Sequence, residues 1–323
     1  AGVRFFEAGA PTGKKVAVVG SGPAGLACAH ELRKRGHEVL IFEARDVPGG
    51  LNTLGIAAYK ISTEFALSEV NLVQQLGIKI ELNHRVDGDE LGRLMRDFDA
   101  VFLGIGLGHT APLGIEGEHL PGVWESLDFI FQTHRLRFEE CAVGRHVLVI
   151  GGGNTAVDVA TAACRLGAAR VTIAYRRGEE AMPAFAYEYE LAKADKVRFE
   201  WFAQPLRVLE NAGLACGVEF VRTMPDDAKS RAGPLRIVEG SNFLVEADMI
   251  VKALGQEPLL ELLHAIPELK VDGRKLVVDP HTGATSLPGL FAGGDCLRAG
   301  GEIVDAVQDG KIAAWGIDTY LKN

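Results

Sequence analysis

Two glycine-rich segments with matching spacing occur in this 323-residue chain, GSGPAG at residues 20–25 and GGGNTA at residues 151–156. Each follows a short apolar run and precedes a segment of helical periodicity, which predicts a strand, a tight turn and a helix. In such a unit the glycines let the main chain approach a pyrophosphate at the helix N-terminus. Because one cofactor needs one such loop, the pair predicts two nucleotide cofactors that exchange hydride.

The apolar runs around these loops predict two βαβ modules. The pattern of residues 15–42 returns at residues 145–175, and 323 residues are enough for two domains. The strand-like and helical pieces after residue 256 are too short to form a domain alone. We therefore expect an α/β fold with two doubly wound domains, the second (residues 112–255) inserted into the first (residues 1–111 and 256–323).

Charge, hydropathy and the spacing of cysteines and histidines exclude several classes of function. The net charge is −9, and no basic run is longer than Arg176-Arg177, which argues against a nucleic-acid surface. No apolar stretch approaches the roughly 18 residues of a membrane span, and the start lacks a secretory signal. The five cysteines form no CxxC pair and no histidines have ligand spacing, so we expect no dithiol, no metal site and a cytoplasmic enzyme.

The first loop has the partners that a dinucleotide needs. Gly20 permits the turn, Gly22 lets the main chain reach the pyrophosphate, and Gly25 lets the helix lie close to the strand. Glu43 ends the next strand, where an acid accepts hydrogen bonds from an adenosine ribose. A glycine turn made for packing alone would explain Gly25 but not Glu43.

The second loop ends differently, because Tyr175 is followed by Arg176 and Arg177 instead of an acid. Arginine is a bidentate partner for a 2′-phosphate, which favours NADP. A basic pair that stacks on adenine would be compatible with NAD. The residues alone leave both nucleotides open.

A carboxylate near the C-terminus indicates the nature of the first cofactor. Asp295 ends a strand-like run, and a helix is predicted from about Glu302. Such a carboxylate can hold a ribityl hydroxyl, while the helix N-terminus stabilises negative charge on a reduced isoalloxazine. The first cofactor is therefore predicted to be a flavin, with a turn-forming aspartate as the alternative.

Together, the loops, the Gly-Gly-Asp strand and the split first domain resemble the two-dinucleotide-domain flavoproteins that include glutathione and thioredoxin reductases. Residues 44–60 lack the redox cysteines of those enzymes. They are similar instead to the branch that contains the glutamate synthase small subunit and dihydropyrimidine dehydrogenase, where a Gly-Gly-Leu, Gly-Ile-Pro, Arg pattern lines the FAD. Ala57 here replaces the proline and Lys60 the arginine.

Within that branch, residues 55–60 (GIAAYK), 251–256 (VKALGQ) and 305–311 (DAVQDGK) look closest to the small FAD/NAD subunit of bacterial NAD-dependent dihydropyrimidine dehydrogenases. Glutamate synthase small subunits more often have Gly-Phe at Gly255-Gln256. A further phosphate-binding arginine of the family has no counterpart around residues 182–183. This difference moves the preference towards NAD.

The resemblance implies the following contacts. The positions that match FAD contacts are Gly20, Ser21, Gly22, Pro23, Ala24, Gly25, Glu43, Gly50, Leu51, Lys60, Val86, Gly294, Asp295, Glu302 and Ile303. The positions that match NAD(P) contacts are Gly152, Gly153, Asn154, Thr155, Arg176, Arg177, Ala253, Leu254 and Gly255. No catalytic side chain is expected, because hydride passes between the cofactors.

The resemblance also implies partners. Relatives of this kind carry an N-terminal domain with iron–sulfur centres, and residue 1 falls about where that domain would end. We expect clusters outside these residues and a larger catalytic subunit, most simply one that reduces uracil or thymine. The alternatives are a glutamate synthase small subunit or related NAD(P)H:ferredoxin-type donor and, in another class, a redox-sensing module without turnover.

Overall fold

The computed structural model describes residues 6–226, 233–298 and 300–323. The chain divides into two compact units. The first runs up to Leu54 and continues through Ile61–Gly108 and Gln256–Asn323, while the second comprises Gly55–Lys60 and His109–Gly255. Residues 55–60, which are expected in the first domain, are grouped with the second unit in the structure.

The strands are β1 (Lys15–Val19), β2 (Glu38–Phe42), β3 (Lys79–Glu81), β4 (Ala100–Leu103), β5 (Val123–Glu125), β6 (His146–Ile150), β7 (Arg170–Tyr175), β8 (Arg198–Trp201), β9 (Ala203–Asn211), β10 (Leu214–Pro225), β11 (Leu235–Ile237), β12 (Phe243–Glu246), β13 (Met249–Lys252), β14 (Val271–Asp272), β15 (Lys275–Leu276) and β16 (Leu290–Ala292). The α-helices are α1 (Pro23–Lys34), α2 (Leu51–Leu54), α3 (Thr63–Gln74), α4 (Gly88–Asp97), α5 (Ser126–Arg135), α6 (Asn154–Arg165), α7 (Ala186–Ala194), α8 (Leu260–His264) and α9 (Ile303–Lys322).

The first unit is built on a parallel sheet with the strand order β16-β4-β1-β2-β3. Every residue of β4 is buried, as expected for a strand covered on both faces. Alternate residues of β1 enter two different core clusters: Val16 and Val18 pack towards α1, and Ala17 and Val19 pack towards the opposite side. The sheet is therefore doubly wound.

Helices α1 and α9 pack with almost no space between their backbones. A Cβ atom at Gly310 of α9 would overlap the carbonyl oxygen of Ala24 in α1. Ala313, Ala314 and Ile317 of α9 are fully buried in the same cluster. The last helix of the chain thus completes the first unit, as the sequence analysis expects for the C-terminal pieces.

The second unit repeats the architecture. Its parallel sheet has the order β5-β13-β6-β7-β8, and β9 to β12 pair antiparallel in a separate sheet. The hairpin between β9 and β10 turns at Ala212 and Gly213, which both have positive φ as a type I′ turn requires. The predicted α/β fold with two doubly wound units is confirmed. The sequence of residues 226–233 predicts an exposed tip between two strands, and this segment lies largely outside the described residues.

Along the described part of the chain, no helix combines the length and the apolar character needed to cross a bilayer.

The contact between α1 and α9 gives a stability prediction. Gly310→Ala should lower stability by about 1–3 kcal/mol, because the added methyl forces the two helices apart. Gly92→Ala in α4 is the matched control, since its nearest neighbour would be the end of the Arg96 side chain at 3.7 Å. That variant should be neutral or gain up to about 1 kcal/mol from helix propensity. Urea unfolding midpoints compare the two, and equal midpoints would contradict the proposed close packing.

Candidate nucleotide sites

The first glycine loop joins β1 to α1 through backbone contacts that exclude side chains. Gly20 has a φ of +99°, and a Cβ atom there would overlap the carbonyl oxygen of Gly104. A Cβ atom at Gly25 would overlap the carbonyl oxygen of Gly20, so α1 can lie against the loop only with glycine at this position. A Cβ atom at Gly22 would meet nothing within 4 Å. Packing therefore explains two of these glycines, and Gly22 faces open space.

Glu43 lies behind the loop and fixes it. Its carboxylate accepts hydrogen bonds from the main chain of Ser21 at 2.9 Å, from the Ser21 hydroxyl at 2.5 Å and from the main chain of Arg45 at 2.9 Å. Glu43 is buried, and a carboxylate has about four acceptor positions. One position on Oε1 remains for a further donor.

A second turn lies against the same loop. The main chain of Gly49 donates to the Ser21 hydroxyl at 3.0 Å, and a Cβ atom at Gly50 would come within 2.8 Å of Cα of Gly22. Leu51 begins α2 directly after this turn. The predicted positions Gly50 and Leu51 therefore adjoin the first loop. Val86 instead packs its side chain in the sheet core.

The C-terminal predicted positions surround the start of α9. Gly294 has a φ of +83° and donates to Asp309 Oδ2 at 3.0 Å, and Asp309 also pairs with Arg298. Burial raises the pKa of the Asp295 carboxyl, while Arg298 and an amide of Gly301 partly oppose the shift.

Glu302 is the N-cap residue of α9, and its main chain donates to Asp305 at 3.0 Å. Ile303 follows as the first residue of the helix and is exposed. The first turns of α9 therefore lie close to the turn at Gly294, which donates to Asp309 of this helix.

The second loop opens into a cavity of about 570 Å³. Gly151 has a φ of +148°, and a Cβ atom there would overlap the carbonyl oxygen of Ala253. The ring of Tyr175 lies where a Cβ atom of Gly152 would be, and Gly153 faces open space like Gly22. The predicted residues that line the cavity are Gly152, Gly153, Thr155, Arg176, Ala253, Leu254 and Gly255.

Two predicted residues lie outside that lining. The side chain of Asn154 accepts a hydrogen bond from the main chain of Phe185 at 2.9 Å, which holds the segment before α7. Arg177 lines an adjacent cavity of about 480 Å³ and donates to the carbonyl oxygen of Gly233 at 2.9 Å. Arg176 lines both cavities.

Several further residues line the cavity at the second glycine loop without any signal in the sequence. Pro112, Leu113, Pro183, Gln204 and Pro205 also line it. Gln204 and Pro205 belong to β9, and no local pattern indicates that this strand lies beside the glycine loop. Only the structure brings them together.

Lys60 occupies a different environment from the other predicted flavin positions. Its ammonium lies 2.6 Å from Asp158 of α6 and 2.6 Å from Glu188 of α7, all within the second unit. Neither carboxylate was predicted as a functional residue. The charge of Lys60 is therefore already paired.

Both loops fit a pyrophosphate. Neither α1 nor α6 has a side-chain cap or an acidic residue in its first turn, so the first amides of each helix keep their hydrogen-bonding capacity and their positive potential. In each loop the N-cap glycine is also the one that faces open space. A volume near 570 Å³ lies in the range of ligand pockets.

The fold and the two loops define an α/β protein with two dinucleotide-type units. The family model described as pyridine nucleotide-disulphide oxidoreductase matches residues 14–310. The chain belongs to this family of flavin-dependent oxidoreductases, whose members bind FAD and NAD(P)H.

Two curated proteins are similar to this chain along most of its length. The chain is 39% identical to the NADP(+)-dependent formate dehydrogenase subunit beta of Moorella thermoacetica, over 96% of this chain and 44% of that protein. It is also 39% identical to the glutamate synthase [NADPH] small chain of Escherichia coli K12, over 96% of this chain and 69% of that protein. These residues thus span less than half of the first relative. Neither protein is named as a dihydropyrimidine dehydrogenase, so the predicted closeness to that subfamily stays a hypothesis.

Solved structures support the fold. Mycobacterium tuberculosis FprA in complex with NADPH superposes with a TM-score of 0.75 at 18% identity, over 97% of this chain and 85% of that one. T. acidophilum thioredoxin reductase gives a TM-score of 0.73 at 21% identity, over 96% of this chain and 100% of that one.

The environment of Asp295 gives a prediction with a definite sign. A raised folded-state pKa means that the ionised carboxylate costs stability above the unfolded pKa of about 3.9. Asp295→Asn should therefore raise the melting temperature of the flavin-free protein at neutral pH, and the gain should shrink as the pH falls towards that value. Asp309→Asn, which weakens the contacts to Gly294 and Arg298, should lower it. A lower melting temperature for Asp295→Asn at neutral pH would refute this sign.

Proposed function

We propose that the first unit holds FAD and the second holds the nicotinamide nucleotide, so that the chain is the electron-input part of a larger redox system. The observation that carries this proposal is the pair of glycine loops, each with an open-faced N-cap glycine beside uncapped helix amides. Two such loops give two anion sites, and the family binds two nucleotides.

The residues of the first unit have distinct proposed roles. The amides of Gly22, Ala24 and Gly25 face the FAD pyrophosphate, and the remaining acceptor position of Glu43 takes a ribose hydroxyl. Asp295 holds a ribityl hydroxyl, whereas the capping box of Glu302 and Asp305 already satisfies amides at the amino end of α9 and offsets its positive potential. FAD, when bound, supplies the capacity to accept a hydride and to release electrons to another centre.

In the second unit, the residues position a visiting nucleotide. Gly152, Gly153 and Thr155 line the cavity at the start of α6, and the Ala253–Gly255 segment closes it from the end of β13. No side chain of this chain is assigned a covalent or proton-transfer role. The protein's contribution is to orient the nucleotide and to exclude water.

We further propose NADPH as the preferred nucleotide. Arg176 is exposed at the edge of the cavity, at the end of β7 where the first unit carries Glu43. An arginine there favours a 2′-phosphate over a ribose diol. The curated relatives above are named as NADP(+)-dependent and NADPH enzymes, which supports NADPH over the initial preference for NAD.

The partner in this proposal is a larger catalytic subunit reached through iron–sulfur centres. Relatives are named as the small chain of glutamate synthase and the beta subunit of a formate dehydrogenase. A role like that of the glutamate synthase small chain therefore has more support than pyrimidine reduction, which keeps only the motif similarity at residues 55–60, 251–256 and 305–311. Co-purification of the full-length protein with its large subunit from the native source tests this assignment.

The proposal is tested most directly by anaerobic mixing of the FAD-loaded protein with NADPH. Loss of the visible flavin absorbance within one turnover time is the expected result. Binding of NADPH without any loss of absorbance would overturn the enzyme proposal and favour the redox-sensing module.

Gly153→Ala separates binding from folding. A Cβ atom at this position meets nothing within 4 Å and φ is −86°, so the variant should keep its melting temperature and its FAD content. The methyl group should occupy space needed by the pyrophosphate and raise the Kd for NADPH by at least about tenfold, or 1.4 kcal/mol. Fluorescence titration measures the Kd, and an unchanged value would place the pyrophosphate elsewhere.

Arg176→Ala should change the nucleotide preference. Loss of charge-assisted hydrogen bonds to the 2′-phosphate should raise the KM for NADPH about tenfold to a hundredfold and leave the KM for NADH nearly unchanged. Arg207→Ala, which removes an exposed arginine paired with Glu219 in the antiparallel sheet, is the control and should change neither. Equal effects on both nucleotides would show that Arg176 does not read the 2′-phosphate.

A further inference from the structure

A short segment between α2 and α3 belongs to the second unit although both helices belong to the first. This strap (residues 55–60) leaves the first unit after Leu54 and returns to it at Ile61. Its main chain turns through a hydrogen bond from Lys60 N to the carbonyl oxygen of Ala57 at 2.8 Å. His134 Nε2 of α5 lies 2.6 Å from the carbonyl oxygen of Ile56, so this nitrogen donates to the strap.

The carboxyl end of the strap is held by charge. Lys60 Nζ contacts Asp158 Oδ1 and Glu188 Oε1, each at 2.6 Å, and the Tyr59 hydroxyl donates to Asp158 at 2.8 Å. The side chains of Asp158 and Glu188 are only 10% and 5% exposed. The guanidinium of Arg165 stacks on the Tyr59 ring at 4.2 Å.

This cluster contains two buried carboxylates and one ammonium. Burial alone would lower the pKa of Lys60, but its contacts with Asp158 and Glu188 outweigh burial and raise the pKa, so the ammonium stays charged at neutral pH. Without it, two like charges would face each other in a buried site, an arrangement that proteins tolerate poorly. Lys60 therefore supplies the charge that holds the carboxyl end of the strap, in addition to the hydrogen bonds from Tyr59 and His134.

The amino end of the same stretch touches the first glycine loop. Gly49 donates to Ser21, and Gly50 approaches Gly22, just before α2 leads into the strap. At the other end, Asp158 lies on α6, the helix that starts at the second glycine loop. Residues 49–60 thus contact the first loop at one end and the α6 residue Asp158 at the other.

We propose that Lys60 is a positioning residue that anchors the strap to α6 and α7 and thereby links the two nucleotide loops, rather than a direct contact to FAD. The proposal rests on the proposed function for the identity of the two ligands, but the anchoring itself does not require turnover.

Amide hydrogen exchange of the FAD-loaded protein tests the anchor. Lys60→Met should increase exchange in residues 55–60 by at least about tenfold, whereas Lys60→Arg should keep it within a few fold. Lys193→Met is the matched control, because it removes the same charge from an exposed pair with Glu190 on α7. It should leave exchange of the strap unchanged.

A charge-balanced variant separates loss of the anchor from loss of folding in Lys60→Met. Lys60→Met combined with Asp158→Asn and Glu188→Gln leaves no unpaired charge, so it should recover the melting temperature lost in Lys60→Met. Its strap should still exchange faster than in the wild type, because the neutral groups hold the strap less tightly. Its FAD content should match the wild type.

The link between the loops has its own readout. In the wild type, saturating NADPH should slow exchange in residues 49–54, and Lys60→Met should abolish this effect while flavin content stays constant. The hydride-transfer rate of Lys60→Met at saturating NADPH should be lower than that of the wild type, with little change in the KM for NADPH. Lys60→Arg should keep the wild-type rate.

Loss of FAD from both Lys60→Met and the charge-balanced variant, with unchanged strap exchange, would overturn the proposal and make Lys60 a flavin contact. Unchanged exchange in residues 49–54 on nucleotide binding to the wild type would overturn the link between the loops. A wild-type protein that binds both nucleotides without hydride transfer would overturn the proposed function alone, because exchange in residues 55–60 reports the anchor independently.

Discussion

The structure depends on main chain meeting main chain at positions where no side chain fits. Gly25 brings the first turn of α1 against the carbonyl oxygen of Gly20, and Gly310 brings α9 against the carbonyl oxygen of Ala24. In the second unit Gly151 makes the same kind of contact with Ala253. These contacts fix where each helix begins relative to its strand, and the proposed nucleotide sites exist only because the helices begin there.

The electrostatic character of both sites follows from backbone groups more than from side chains. Neither α1 nor α6 carries a capping side chain or an early carboxylate, so the helix amides remain available to an anion. Glu43 is a carboxylate at the first site, but most of its hydrogen-bonding capacity is used to hold the main chain of Ser21 and Arg45 and the hydroxyl of Ser21. A protein of net charge −9 can thus present two local sites that attract phosphates.

The sequence was sufficient to predict the features that are local. The order of strand, glycine loop and helix was visible in the apolar periodicity, and β1, α1, β6 and α6 lie where it placed them within a few residues. The apolar run at residues 275–278 predicts a strand of that length, but only Lys275 and Leu276 pair with β14.

Contacts between distant residues could not be predicted in this way. Tyr59 and Asp158 are 99 residues apart, and Lys60 and Glu188 are 128 apart. No periodicity in the chain relates such positions, so Lys60 was assigned from a motif while its carboxylate partners went unnoticed. The contribution of Gln204 to the second cavity was missed for the same reason.

The discontinuity of the first unit has a consequence for biosynthesis. Residues 109–255 emerge from the ribosome as one uninterrupted stretch and contain both sheets of the second unit. The first unit, in contrast, lacks its edge strand β16 and the helix that covers α1 until Leu290–Ala292 and Ile303–Lys322 have been translated. Domains generally fold as units during synthesis. The second unit is therefore able to fold before β16 and α9 of the first unit have been translated. A nascent chain stalled before residue 290 would expose the apolar face of α1.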